Sequence, residues 1–297
     1  MSYFAFIHHP IASLAFAALI LAFISLWIHR KPWLWGSFLS VAFIFAFLGK
    51  LIELKVFVAL ALLGGAHLAL TAKLRGVGRL VVIAIAFIFS IALMGHFFPG
   101  FHNWKLGENL QISKDAYPYS LYLNFDKPFI GFFSLAISIP LLSRQHLRTV
   151  ILKTIALTAL GIMILMVLAL YLHLIEIDLK LPHISAIWLI ANLFFVTIPE
   201  EAFFRGFLQR EIDEYLNSKW SGTFSVIVVS LLFALLHFTF VHDLSYLSLT
   251  FIASLIYGSV YQATRSIESS IFCHYLFNVV HFFCFTYPAT QLTSPPI

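Results

Sequence analysis

Two adjacent glutamates and an arginine interrupt an apolar run at residues 198–208, IPEEAFFRGFL: Glu200, Glu201 and Arg205. Farther on, FALLH runs from Phe233 to His237, and HYLFN runs from His274 to Asn278. An ionised group at the centre of a bilayer costs several kcal/mol, so such groups usually face a bundle interior and serve a function there. A carboxylate and an imidazole can hold and deprotonate a water, making it a nucleophile. A second imidazole with a carboxamide supplies donors for the oxyanion that forms when a carbonyl is attacked. A glutamate, two histidines and an asparagine in apolar surroundings are thus equipment for hydrolysing an amide. The same glutamate and histidines could instead bind zinc, since carboxylate and imidazole are both zinc ligands. No H-E-x-x-H helix and no G-x-S-x-G elbow occurs in the chain.

Spacing refines this reading. On an α-helix, Glu201 and Arg205 are i,i+4 and can pair. Adjacent residues point about 100° apart, so Glu200 faces elsewhere and is left available. His274 and Asn278, also i,i+4, share a face. The charges of IPEEAFFR could instead mark the wet end of a span, but QREIDEYLNSKW at 209–220 is a better interface. With Arg210 and Glu211 at the surface, Glu200 lies about 15 Å deeper at the helical rise. His237 then lies roughly 25 Å from the start near Trp220, and His274 roughly 14 Å from Arg265.

The elements that must position these groups are membrane helices. The chain is 61% hydrophobic and 10% charged, with 33 phenylalanines and mean hydropathy +0.95. A soluble domain carries about a quarter charged residues. Apolar windows fall at 10–29, 33–49, 55–72, 79–97, 128–143, 150–173, 184–204, 222–241, 246–263 and 267–286. The expected fold class is all-α, a polytopic transmembrane helical bundle of about eight to ten spans. The fifth window is short and contains Pro140, as a re-entrant segment would. The start, MSYFAFIHHP, lacks a basic n-region and a small-residue cleavage site, so the first window reads as a retained span. Two domains are expected: N-terminal transmembrane helices over 1–145, with an external loop at 98–127, and a catalytic bundle over 146–297.

The net charge of +5 is read first as an orientation signal. The basic segments at 29–31, 73–79 and 143–153 are placed in the cytoplasm. The loop 98–127, where Lys105, Lys114 and Lys127 balance Glu108, Asp115 and Asp126, is placed outside. No basic, aromatic-interleaved patch suggests a nucleic-acid partner. Cys273 and Cys284, in one late apolar segment, suggest neither a disulfide framework nor a Cys-based metal site.

Taken in order, EEAFFR at 200–205, FALLH at 233–237 and HYLFN at 274–278 resemble the CPBP intramembrane proteases. That family includes CAAX prenyl endopeptidases and bacteriocin-processing and self-immunity proteins. Its pattern is E-E-x-x-x-R, F-x-x-x-H, then H-x-x-x-N/D on successive late spans. The stretch YGSVYQATRSIESSIFCH is also similar, with Gly258, Tyr261, Thr264, Ser266, Ser270 and Ile271 in register. Arg265 stands where the family commonly has glycine, and Ser254 where a small residue, often glycine, is usual. The resemblance covers about residues 185–285. It implies that Glu200 and His237 activate the water, that His274 and Asn278 form the oxyanion site, and that Glu201 and Arg205 hold the motif in place, with Phe233 in a supporting position. It implies no cofactor; the alternative is zinc on Glu200, His237 and His274.

The expected function is hydrolysis of a peptide bond in a membrane-associated peptide or protein. The partners are membrane lipids and a peptide or lipidated-protein substrate. The expected setting is the cell's inner or plasma membrane, as a multi-pass protein. The alternative is a non-catalytic scaffold or a transporter whose buried glutamate and histidines relay protons. A transporter should show inverted repeats or paired broken helices. No internal repeat is evident in the chain.

Overall fold

The computed structural model describes residues 9–72, 74–142, 147–238 and 243–291. Residues 1–8, at the start read as retained, lie outside that set. So do Lys73 and residues 143–146 from the basic segments used for orientation. Among the described residues the chain forms ten helices and a two-stranded sheet. The helices are α1 Pro10–Ile28, α2 Pro32–Leu48, α3 Val56–Leu70, α4 Gly76–Met94, α5 Phe129–Ser138, α6 Leu147–Tyr171, α7 Ser185–Leu216, α8 Ser221–His237, α9 Leu244–Thr264 and α10 Ile267–Cys284. The strands, β1 Trp104–Leu110 and β2 Tyr119–Leu123, lie inside the loop expected at 98–127. The all-α class therefore holds, with one small sheet added.

Proline opens both α1 and α2, where its missing N–H is one that no helix would bond. By length and composition, α1, α4, α6, α7 and α9 can each cross a membrane. Helices α2, α3, α5 and α8 are apolar but shorter than a full span. The long and the shorter apolar helices together make the polytopic helical bundle expected. Helix α5 joins two five-residue stretches and stops before Pro140, the break anticipated from sequence. At about 15 Å it is half the thickness of a hydrocarbon core. In the other direction, α7 continues beyond the window 184–204, and its exposed end begins only at Glu214.

Two compact units result. The first comprises residues 1–107, 120–140 and 190–203; the second comprises 108–119, 141–189 and 204–297. The first unit is packed with phenylalanine. Phe16 meets Phe125 at 5.5 Å and Phe195 at 5.4 Å, Phe23 meets Phe132 at 5.1 Å, and Phe43 stacks on Phe129 at 5.4 Å. Lipid is as apolar as these side chains, so helix association relies on packing, and edge-to-face rings add to it. In the second unit α9 packs against α6, α8 and α10. Leu165, Ala253, Tyr257, Val260 and Cys273 form the centre of that packing. Gly161 allows the close approach of α6 to α9: a Cβ there would lie 2.5 Å from Ile256.

Candidate active site

Helix α7 is not a uniform α-helix. Residues Asn192–Thr197 and Ala202–Gln209 form π-helical turns, with Ile198–Glu201 as a short α-helical stretch between them. Such wide turns are rare and recur at functional sites. Here they bracket the paired glutamates. The unit boundary falls between Phe203 and Phe204, so Glu200 and Glu201 lie in the first unit and the other motif residues in the second.

In the first unit Glu200 is 4% exposed and Glu201 is fully buried. Lys127, two residues before α5, places its Nζ 2.6 Å from Glu200 Oε1. Helix α5 lies close because Gly131 faces Pro199. A Cβ at 131 would sit 2.6 Å from the Pro199 Cα.

In the second unit the arrangement is built on rings. Arg205 is fully buried and its Nη2 donates to the Ser254 carbonyl at 3.0 Å and to the Ser254 hydroxyl at 2.7 Å. Its guanidinium faces the rings of Phe233 at 5.1 Å and Tyr257 at 5.5 Å. Phe233 in turn stacks on His237 at 4.3 Å, and Tyr257 stacks on His274 at 4.5 Å. Arg205 therefore supports both imidazoles through one aromatic layer. His237 Nδ1 lies 2.8 Å from the Phe233 carbonyl oxygen. A carbonyl only accepts, so Nδ1 carries the proton; in the neutral ring Nε2 is then an acceptor. The F-x-x-x-H motif thus supplies both the ring beneath the histidine and the acceptor that sets its tautomer.

His237, His274 and Asn278 line one cavity of about 140 Å³, wholly within the second unit. That volume holds several waters. His281, Tyr246 and Thr250 line it too, and motif spacing did not reveal them. For His281 a signal was present: it continues the His274–Asn278 stripe by three residues. A single histidine in an aromatic-rich helix says little by itself. Its Nε2 lies 3.1 Å from the Thr286 carbonyl.

The structure thus gathers His237, His274, Asn278 and Phe233 within the second unit, with Arg205 behind them. Glu200 and Glu201 are adjacent in the first, with Lys127 against Glu200. The four residues from Glu201 to Arg205 span a change from α-helical to π-helical turns at Ala202. Among the described residues, no group of three or more His, Cys, Asp or Glu could hold a metal ion.

Both departures from the family pattern have a local reason. Arg265 caps α9 in the left-handed conformation, φ +52°, where glycine is commonest. Its Nη1 donates to Asp213 Oδ2 at 2.7 Å. Ser254 contributes the hydroxyl that binds Arg205.

Residues 182–280 match a family model described as Type II CAAX prenyl endopeptidase Rce1-like. The match encloses all three polar motifs and agrees with the resemblance read from them. No curated protein and no solved structure matches the chain.

Proposed function

We propose, from the match of residues 182–280 to the type II CAAX prenyl endopeptidases, that this multi-pass membrane protein is a glutamate-dependent intramembrane endopeptidase. The observation that carries the reading is the shared cavity of His237, His274 and Asn278, with the tautomer of His237 held by Phe233. The role of Glu200 rests on its motif and on the family match.

The chemistry follows from the groups. His237 Nε2 accepts a hydrogen bond from a water, and the Glu200 carboxylate takes its proton as the water oxygen attacks the peptide carbonyl. His274 and the Asn278 amide donate to the oxyanion of the tetrahedral intermediate. As the C–N bond breaks, the protonated Glu200 returns its proton to the leaving amine. The products are a carboxylate and an amine, one water consumed. Arg205 and Phe233 act as supports, and Glu201 helps hold its helix. The substrate is a membrane-associated peptide or a lipidated protein, and the setting is the cell's inner or plasma membrane.

The test is substitution followed by product analysis. Glu200→Gln, His237→Ala and His274→Ala are each expected to abolish cleavage while the protein remains folded. Comparing the membrane and secreted peptidomes of cells carrying wild-type protein or Glu200→Gln identifies the cut sites. Full activity in Glu200→Gln removes the proposed base. A zinc-dependent version predicts stoichiometric zinc in purified protein and loss of activity on strong chelation. The carboxylate version predicts neither.

A further inference from the structure

A lysine outside the family match contacts the proposed base. We propose that Lys127 is a positioning residue for Glu200, holding the carboxylate aimed for proton transfer. The inference rests on the reading of Glu200 as the base. It adds a functional residue from the N-terminal half of the chain.

Three observations carry it. The Lys127 side chain is 17% exposed and its Nζ lies 2.6 Å from Glu200 Oε1, so the pair is largely removed from water. Breaking such a pair leaves an uncompensated charge, which is strongly unfavourable. Lys127 is itself held. Its backbone N–H donates to Asp126 Oδ1 at 2.8 Å, and the other oxygen of that buried carboxylate meets His96 Nδ1 at 2.7 Å. Finally, the Gly131–Pro199 approach fixes the helix after Lys127 against the turn that bears Glu200. A lysine anchored at its backbone and pressed close by a glycine contact is built to meet Glu200.

Neither Phe129–Phe133 nor Asn192–Thr197 carries a charged residue. Glu201 follows Glu200, and Arg205 comes later on the same helix. Asp126 and His96 stand behind Lys127. Lys127 is a cation that another segment delivers to this carboxylate, and removing it releases the carboxylate from its position.

Infrared difference spectroscopy on purified protein reads the contact directly. The carboxylate bands of Glu200 are assigned by their absence in Glu200→Gln. At fixed pH, those bands are expected to shift in frequency in Lys127→Met and to stay at the wild-type position in Lys127→Arg. With an internally quenched farnesyl-cysteine peptide as probe, Lys127→Met should lower kcat about tenfold or more with KM little changed. Lys127→Arg should restore kcat. Unchanged Glu200 bands and kcat in Lys127→Met overturn the proposal, as does failure of Lys127→Arg to rescue. If Glu200→Gln keeps full activity, the reading of the base fails instead. Should Lys127→Met not fold, identical Glu200 bands in Lys127→Gln and wild type overturn the proposal equally well.

Discussion

Single side chains here do more than their motif positions suggest. Phe233 was legible only as the first letter of F-x-x-x-H, yet its carbonyl sets the His237 tautomer and its ring lies between Arg205 and that imidazole. Arg265 shows how a departure from a family pattern is tolerated. A non-glycine residue in the left-handed region costs about 1–2 kcal/mol. The ion pair with Asp213 offsets part of that, and no more than about 1 kcal/mol, because the Arg265 side chain is largely exposed. Arg265→Ala keeps the strain and loses the pair; Arg265→Gly loses the pair but removes the strain. Thermal unfolding in detergent should therefore rank Arg265→Ala below Arg265→Gly by about 1 kcal/mol. The opposite ranking would mean that the left-handed cap holds no strain that glycine relieves.

At the level of elements, the important feature is the fit of α5 against the middle of α7. Gly131 and Pro199 meet backbone to backbone, and the contact sets where Lys127 and Glu200 fall relative to each other. Gly131→Ala places a methyl in that contact. It should cost about 1–3 kcal/mol as overpacking and reduce kcat, because the segment bearing Glu200 must shift. Gly65, inside α3, is the control: nothing lies within 4 Å of its would-be Cβ. Gly65→Ala should be neutral or stabilise by about 0.4–1 kcal/mol, with activity unchanged. Equal effects from the two substitutions, measured by unfolding and by turnover, would remove the special status of the α5–α7 contact. The π turns around Glu200 are likewise a property of the folded helix. Sequence pattern predicts α spacing throughout α7, because a local apolar run does not announce the extra residue of a π turn.

The whole molecule is a multi-pass membrane protein whose orientation rests on its loop charges. Basic residues beside the spans are retained in the cytoplasm. In a variant with Cys273 and Cys284 replaced by alanine, a new cysteine at Lys105 should react with an impermeant maleimide added outside intact cells. One at Arg148 should react only after the membrane is opened. Both positions are exposed, so access to the reagent and not burial decides the result. Reversed labelling would invert the topology and put the sheet-bearing loop in the cytoplasm.

The sequence by itself determined the solvent and the element type: a chain this apolar must satisfy its backbone hydrogen bonds internally, and helices do so within one segment. It also named the reactive groups, because glutamate, histidine, asparagine and arginine are conspicuous against leucine and phenylalanine. Tertiary structure alone decided which of them meet. Lys127 and Glu200 are 73 residues apart, and nothing in either neighbourhood encodes the pairing. The grouping of His237, His274 and Asn278 around one cavity likewise depends on how α8, α9 and α10 pack. The physical reason is range. Periodicity and motif spacing describe one helix at a time, whereas contacts between helices depend on the depth at which glycines and rings let them approach.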